Sequence, residues 1–323
     1  MRSMILAGIL GSLALPASAM PLEKGSVRFK PAGDQKDVPE RYRLKEHKFA
    51  WQFTELVDVP DAAIDLYRLT FPSPVKSETP ENNTVHAEYY RPKGKGPFPG
   101  VIVLDITAGD QSVSRGIAAV LAQKKIAALF VQMAYYGPRR PPGCKYRLIS
   151  PNYEHSMAAI RQTVLDVRRA TAWLESRQEI DAKRLGVLGT SLGSFIGSLT
   201  AEMEPKLGHV AILLGGGGLV DAYYDHPRAK SFRATWEAFG GTKKQLEELI
   251  APADPLTCAA NLKSHKVLMI AGKRDEIVPP KMAKALWEAS GKQKIIWFDC
   301  THYGAALYVV PAMAHIVKHF RAE

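Results

Sequence analysis

Cysteine is scarce: three residues in 323, at Cys144, Cys258 and Cys300. So few thiols exclude a disulfide-dense scaffold, and no spacing among them makes a metal knuckle. In an oxidising compartment one pair could bridge, leaving the third free, and the spacing does not choose the pair. Long apolar runs are equally scarce. The longest, Met4 to Leu15, is too short to cross a hydrocarbon core of ~30 Å as a helix, which excludes a multi-span membrane protein. There is no internal repeat and no low-complexity linker. The charge is basic, 43 Lys+Arg against 32 Asp+Glu for a net +11. No Lys/Arg block, zinc pattern or RNA-binding aromatic motif focuses that charge, so it reads as a basic surface and no nucleic-acid partner is expected.

What is present first is an export pattern. Arg2 supplies a short positive region, Met4 to Leu15 the apolar stretch, and Pro16-Ala17-Ser18-Ala19 the small residues a signal peptidase reads. Residues 1–19 are therefore expected to be a signal peptide, with a mature chain from Met20 that is periplasmic or secreted and has no stable membrane span. Residues 20–65 are polar and irregular and read as an N-terminal extension.

From Leu66 the pattern becomes regular. Leu66 to Phe71 and Thr84 to Tyr90 read as strands, and Val101-Ile102-Val103-Leu104 is a continuous apolar run of buried-strand type. Helical and apolar-strand patterns then alternate: a helix over Ser114 to Lys125 and a strand over Ile126 to Gln132. Asn152 caps a long helix striped by Met157, Ile160, Val164, Val167 and Leu174. Further strands are expected at Leu185 to Leu188, Val210 to Leu214, Val267 to Ala271 and Ile295 to Phe298. Such alternation predicts a mostly parallel α/β sheet covered by helices on both faces. Residues 215–264 break the rhythm and read as an insertion over the sheet's C-terminal edge, where open α/β sheets bind ligands.

The chemistry concentrates in Gly189-Thr190-Ser191-Leu192-Gly193, a G-x-S-x-G between a strand and a helix. A strand that turns abruptly into a helix strains the serine and leaves no room beside it, hence the flanking glycines. The turn projects the Ser191 hydroxyl and leaves the Leu192 amide at a helix N-terminus, aimed where an oxyanion would form. A serine hydroxyl needs a base, and the base an orienting acid. Asp275 lies in the turn after one later strand and His302 in the loop after the next, giving the chain order Ser, Asp, His. Glu276 and Asp299 are the rival acids.

On these residues the chain resembles the α/β-hydrolase superfamily, in its dienelactone-hydrolase-like and acetyl-xylan-esterase-like branch, from about Leu66 to the end. The G-x-x-D-x-x-V-P turn of that branch is matched by Gly272, Asp275, Val278 and Pro279, and its histidine followed by a small residue by His302 and Gly304. The resemblance implies an α/β-hydrolase fold, no cofactor, no metal, and a small-molecule or carbohydrate ester as substrate. Many relatives follow the first buried strand with His-Gly, whose backbone completes the oxyanion hole. Here Asp105 and Ile106 stand in those places, so the second donor is expected to be the amide of Ile106 or Thr107.

Around this core, Tyr136, Arg139, Arg140 and Tyr223 are candidate substrate contacts, the arginines as a clamp for an anionic group. His315 and His319 have the i, i+4 spacing of a zinc pair but lack the glutamate of H-E-x-x-H. His86, His209 and His265 read as structural. The expected function is an exported serine hydrolase that cleaves carboxylic esters through an acyl-enzyme. The alternatives are acyl transfer by the same triad, since Ile126 to Gly137 also resembles the acyl-CoA:amino-acid acyltransferase-like branch, and a non-catalytic binding protein, for which Asp105 is the motive.

Overall fold

The apolar tetrad at Val101 sits at the centre of the molecule, and its two faces divide the core. In the computed structural model, which describes residues 22–58, 63–107 and 110–322, the described residues form ten strands in one sheet. They are β1 (Glu23–Phe29), β2 (His47–Asp58), β3 (Ile64–Pro72), β4 (Thr84–Pro92), β5 (Phe98–Leu104), β6 (Ala127–Val131), β7 (Ile180–Thr190), β8 (His209–Leu213), β9 (Lys266–Gly272) and β10 (Lys294–Phe298). Their spatial order is β1-β2-β3-β4-β6-β5-β7-β8-β9-β10. The first four are an antiparallel meander that joins β6 antiparallel, and from β6 onward every pairing is parallel.

The helices are α1 (Ser112–Gln123), α2 (Tyr153–Glu175), α3 (Leu192–Met203), α4 (Leu219–Tyr223), α5 (Lys230–Ala238), α6 (Lys243–Ile250), α7 (Pro280–Ala289) and α8 (Val309–Arg321). Successive strand residues point to opposite faces. Ile102 and Leu104 accordingly join the core under α2, α3 and α7, with Ile160, Leu199 and Leu286. Val101 and Val103 join the core under α1 and α8, with Leu121, Ile316 and Phe320. Both faces are covered, which is why β5 is buried along its whole length. Asn152 caps α2 as expected, its side-chain oxygen accepting from the His155 amide at 2.9 Å.

Signal-peptide residues 1–19 and the Met20 start lie outside the described residues. One sequence reading needs adjustment. The segment expected to be an irregular extension instead contributes β1 and β2 to the sheet. Its apolar residues alternate with polar ones, and Phe49, Trp51 and Phe53 face the core. Trp173 of α2 is the hub there, edge-on to Trp51, Phe53 and Tyr89 at 5.7, 5.8 and 5.1 Å.

Residues 215–264 run between β8 and β9 as α4, α5, α6 and short 3₁₀ turns. Thr242 starts α6 with a reciprocal capping box to Gln245. No residue of α5 or α6 is buried. Chain direction reverses at the centre of the sheet: β5 leads outward to β6, and the chain then returns across β5 to β7. The C-terminal ends of β5 and β7 therefore flank a topological switch point, the crevice where open α/β sheets bind ligands. Ser191 and Asp105 stand at those two strand ends.

Candidate active site

Ser191 joins β7 to α3 with φ 51° and ψ −118°, a left-handed backbone that a non-glycine residue rarely adopts. Such a conformation costs on the order of 1–3 kcal/mol and persists only where surrounding structure imposes it. The imposition is visible. The Ser191 amide donates to the Leu213 carbonyl of β8 at 2.9 Å, and the Ser191 carbonyl accepts from Ser194 Oγ at 2.6 Å. A Cβ on Gly189 would sit 2.0 Å from the Gly193 carbonyl oxygen, and one on Gly193 would sit 2.5 Å from the Leu104 and Asp105 carbonyl oxygens. Both glycines are thus required by close approach, and the second presses the elbow against the end of β5.

From this elbow a hydrogen-bonded chain runs inward. Ser191 Oγ lies 3.1 Å from His302 Nε2, and His302 Nδ1 lies 2.7 Å from Asp275 Oδ2. A carboxylate can only accept, so the imidazole proton sits on Nδ1 and Nε2 is left to accept from the serine hydroxyl. Asp275 is held by its own turn: Oδ1 accepts from the Ile277 and Val278 amides at 2.9 and 2.7 Å. Gly272 permits that turn, since a Cβ there would meet the Cys300 carbonyl at 2.8 Å where β9 and β10 end side by side. Asp275 and His302 are both buried.

The rival acids have other partners. Glu276 Oε2 accepts from the His302 backbone amide at 3.3 Å and so braces the loop rather than the ring. Asp299 pairs with Arg274 at 2.9 Å, both about two-thirds exposed (68% and 64%). Among the described residues no group of His, Cys, Asp or Glu is placed to hold a metal. His319 instead packs edge-on against His209 at 5.6 Å, and burial with that neighbour pushes its pKa down to about 4. The three cysteines are free, Cys300 buried and the others half-buried.

Beside the elbow, the oxyanion side is built from backbone. Leu192 is the first residue of α3, so its amide is among the helix N–H groups without an intrahelical acceptor. Asp105 is tied to α1. Its Oδ1 accepts from Ser114 of α1 at 2.9 Å, and the carboxyl is buried with Oδ2 unpartnered. Burial pushes the Asp105 pKa up, and the Ile106 amide, the Ser114 hydroxyl and Arg115 offset only part of that rise. Ile106 and Thr107 follow directly. Tyr136 fixes this turn by donating its hydroxyl to the Thr107 carbonyl at 2.5 Å, with Arg147 a weaker second donor at 3.3 Å. Neither the Ser114 contact nor the brace from Tyr136 has a signal in the sequence; the partners lie 9 and 29 residues apart and meet only once the chain has folded.

The expected substrate contacts are largely reassigned. Arg139 is wholly buried, paired with Asp166 at 2.7 Å and donating to the Asn82 and Gln132 carbonyls at 2.8 and 2.9 Å. It is a core crosslink and reaches no substrate, because a Pro-flanked turn folds it under the sheet edge. Arg140 spends two donors on the Cys144 carbonyl, at 3.0 and 2.7 Å. Tyr136 is a buried brace. Tyr223 donates its hydroxyl to the Ile277 carbonyl and packs with Val278 and Met282, steadying the Asp275 turn.

Comparison with known proteins agrees with this architecture. The chain superposes on acetyl xylan esterase 1 from Thermoanaerobacterium sp. with a TM-score of 0.62 at 18% identity, over 83% of this chain and 88% of the other. An acetyl xylan esterase from Paenibacillus sp. gives 0.64 at 20% identity over the same shares, 83% and 88%. The chain has the α/β-hydrolase fold. The model of the prolyl oligopeptidase family matches residues 157–303, a stretch of the hydrolase fold that contains Ser191, Asp275 and His302. An uncharacterized protein of Mycobacterium tuberculosis is 30% identical over 146 residues, 44% of this chain. That alignment spans about a third (33%) of the relative's own length.

Proposed function

We propose that this α/β-hydrolase-fold chain is an exported serine hydrolase of carboxylic esters. The observation that supports it best is the unbroken chain from Asp275 through His302 to Ser191 at a strained elbow. In the proposed cycle His302 Nε2 takes the Ser191 proton as Oγ attacks the ester carbonyl, and Asp275 stabilises the imidazolium. The Leu192 amide and that of Ile106 or Thr107 receive the oxyanion. His302 returns the proton to the leaving alcohol, and a water activated by the same nitrogen then releases the acyl group from Ser191. Small-molecule and carbohydrate esters are the substrate class, since acetyl xylan esterases are among the structural neighbours. Export is part of the proposal and rests on the pattern of Arg2 to Ala19 alone. No described helix is long and apolar enough to cross a membrane.

Peptide hydrolysis is the second reading, favoured by the prolyl oligopeptidase match. A fluorophosphonate probe, nitrophenyl esters from acetyl to decanoyl, acetylated xylan and proline-containing peptide amides test both together. Ser191 should take up the probe and cleave short esters, and Ser191→Ala should abolish both with little change in melting temperature. Cleavage of the peptide amides without the esters would transfer the assignment to a peptidase. A folded wild type inert to probe and all substrates would leave a binding protein.

A further inference from the structure

Three tyrosines on or beside the loops of the Ser191 site spend their hydroxyls on backbone. Tyr136 donates to the Thr107 carbonyl, Tyr223 to that of Ile277, and Tyr308 to that of Asp299 at 3.3 Å. Tyr303 is the exception. It follows His302 directly and is 76% exposed, and among the described residues its hydroxyl makes no hydrogen bond. Its ring packs on the His302 imidazole, edge-on, with centroids 5.6 Å apart and planes at 86°. Its backbone, by contrast, is fixed. Tyr303 opens a 3₁₀ turn over residues 303–308. There Thr301 Oγ1 accepts from the Gly304 amide at 3.0 Å, and the Thr301 carbonyl accepts from the Ala305 amide at 3.2 Å. A lone exposed aromatic is ordinary on a protein surface. One held against the base of a nucleophilic serine stands where the chemistry can use it.

Resting on the ester-hydrolase reading, we infer that Tyr303 selects the leaving alcohol, its ring stacking on alcohols that are themselves rings. In the acylation step Ser191 Oγ bonds to the carbonyl carbon, and the C–O bond to the alcohol breaks with its electron pair left on the departing oxygen. His302 Nε2 gives that oxygen the proton it took from Ser191. The departing oxygen therefore comes within about 2.6–3.2 Å of Nε2, which itself lies 3.1 Å from Ser191 Oγ. Whatever group that oxygen carries lies beside the imidazole, and Tyr303 is the exposed ring packed there. The two rings are one ring's width apart, so a ring on the departing oxygen reaches Tyr303 and a two-carbon chain does not. Residues 303–314 carry no charge, which suits a neutral alcohol. The shared chemistry is a flat or apolar ring face, offered by an aryl alcohol or by a sugar.

Acetates of different alcohols test this, because all of them leave the same acetyl group on Ser191 and differ only before the alcohol departs. Phenyl is compared with trifluoroethyl acetate, two activated esters, and cyclohexyl acetate and an acetylated methyl xyloside with ethyl acetate. Tyr303→Ala should lower kcat/KM for ring alcohols relative to their open-chain partners by about tenfold. Tyr303→Phe, which keeps the ring, should hold the wild-type ratio within about twofold. Hydrolysis of the acetyl-enzyme, read from burst kinetics, should keep its rate in both variants, since no alcohol is then present. A ratio that falls for the phenyl ester alone makes aryl alcohols the class, and one that falls for the xyloside alone makes it sugars; either supports the inference. Equal loss on every acetate, with slower acetyl-enzyme hydrolysis, would make Tyr303 a prop for His302 and overturn it. So would unchanged ratios in a variant that still cleaves esters, and that result would leave the ester-hydrolase reading standing. A wild type inert to every acetate and to a fluorophosphonate would remove both.

Discussion

The two halves of the Ser191 site are built from different material. On one side stand His302 and Asp275, buried side chains whose hydrogen bonds are specific, and both oxygens of the Asp275 carboxylate have partners. On the other side stand the Leu192 amide and the turn after β5, where the working groups are backbone and the neighbouring carboxyl, Asp105, keeps one oxygen without a partner. The relay half is specified by residue type. The oxyanion half is specified by chain path, and its side chains serve to hold that path.

Breaking the relay should therefore have the largest effect. Asp275→Asn removes the acceptor that fixes the His302 tautomer and stabilises its charged form. Turnover should fall by about 10³–10⁴ with the fold intact. Asp299→Asn, which removes only an exposed partner of Arg274, should leave turnover within about twofold. Steady-state kinetics on one short ester compares them, and equal damage from the two would dissolve the assignment of the acid.

This division also explains what could be read from the sequence. The strand-turn-helix setting of Ser191 was legible because steric rules demand glycine on both sides. Asp275 and His302 followed from the loops after consecutive strands. The parallel half of the sheet was legible because strands buried on both faces are uniformly apolar, as β5 and β6 are. The first two strands were not read, because Phe49, Trp51 and Phe53 alternate with polar residues in a stretch dominated by charge and turns. Arg139 was misread for a related reason. Arginine in a Pro-rich loop is ordinarily exposed, and only the fold reveals Asp166 of α2 waiting beneath it. Long-range partners of single polar groups leave no local pattern.

A middle-sized effect belongs to the brace on the oxyanion side. Burial pushes the Tyr136 pKa up to about 12, so its hydroxyl remains a donor throughout the working range. Tyr136→Phe leaves the Thr107 carbonyl with only the longer Arg147 contact, so the turn loosens without losing a side chain that touches substrate. Turnover should fall about tenfold with KM nearly unchanged, less than the ~10²–10³ expected for outright removal of an oxyanion donor. Fluorophosphonate labelling should slow in proportion, because the probe needs the same pocket. A raised KM with unchanged turnover would make Tyr136 a ground-state binding residue instead.

The smallest effect, with the most informative sign, is expected from Asp105. A carboxylate beside the oxyanion turn opposes the developing charge only when ionised. Burial makes the folded protein hold the Asp105 proton more tightly than the unfolded chain does. That contribution to stability is fully present below the unfolded pKa and is lost as pH rises through the higher folded one. Ionisation then has two consequences together, a less stable fold and a less hospitable oxyanion site. Asp105→Asn stays neutral at every pH, and its carbonyl can still accept from Ser114. Turnover of the variant should stay within about threefold of wild type at low pH and match or exceed it at high pH. Its melting temperature should gain by roughly 2–4 °C at the alkaline end and by little at the acid end. Paired pH profiles of turnover and melting decide the matter. A loss of more than tenfold at every pH would show that Asp105 works as a carboxylate in the reaction, and the two halves of the site would no longer differ as side chain and backbone do.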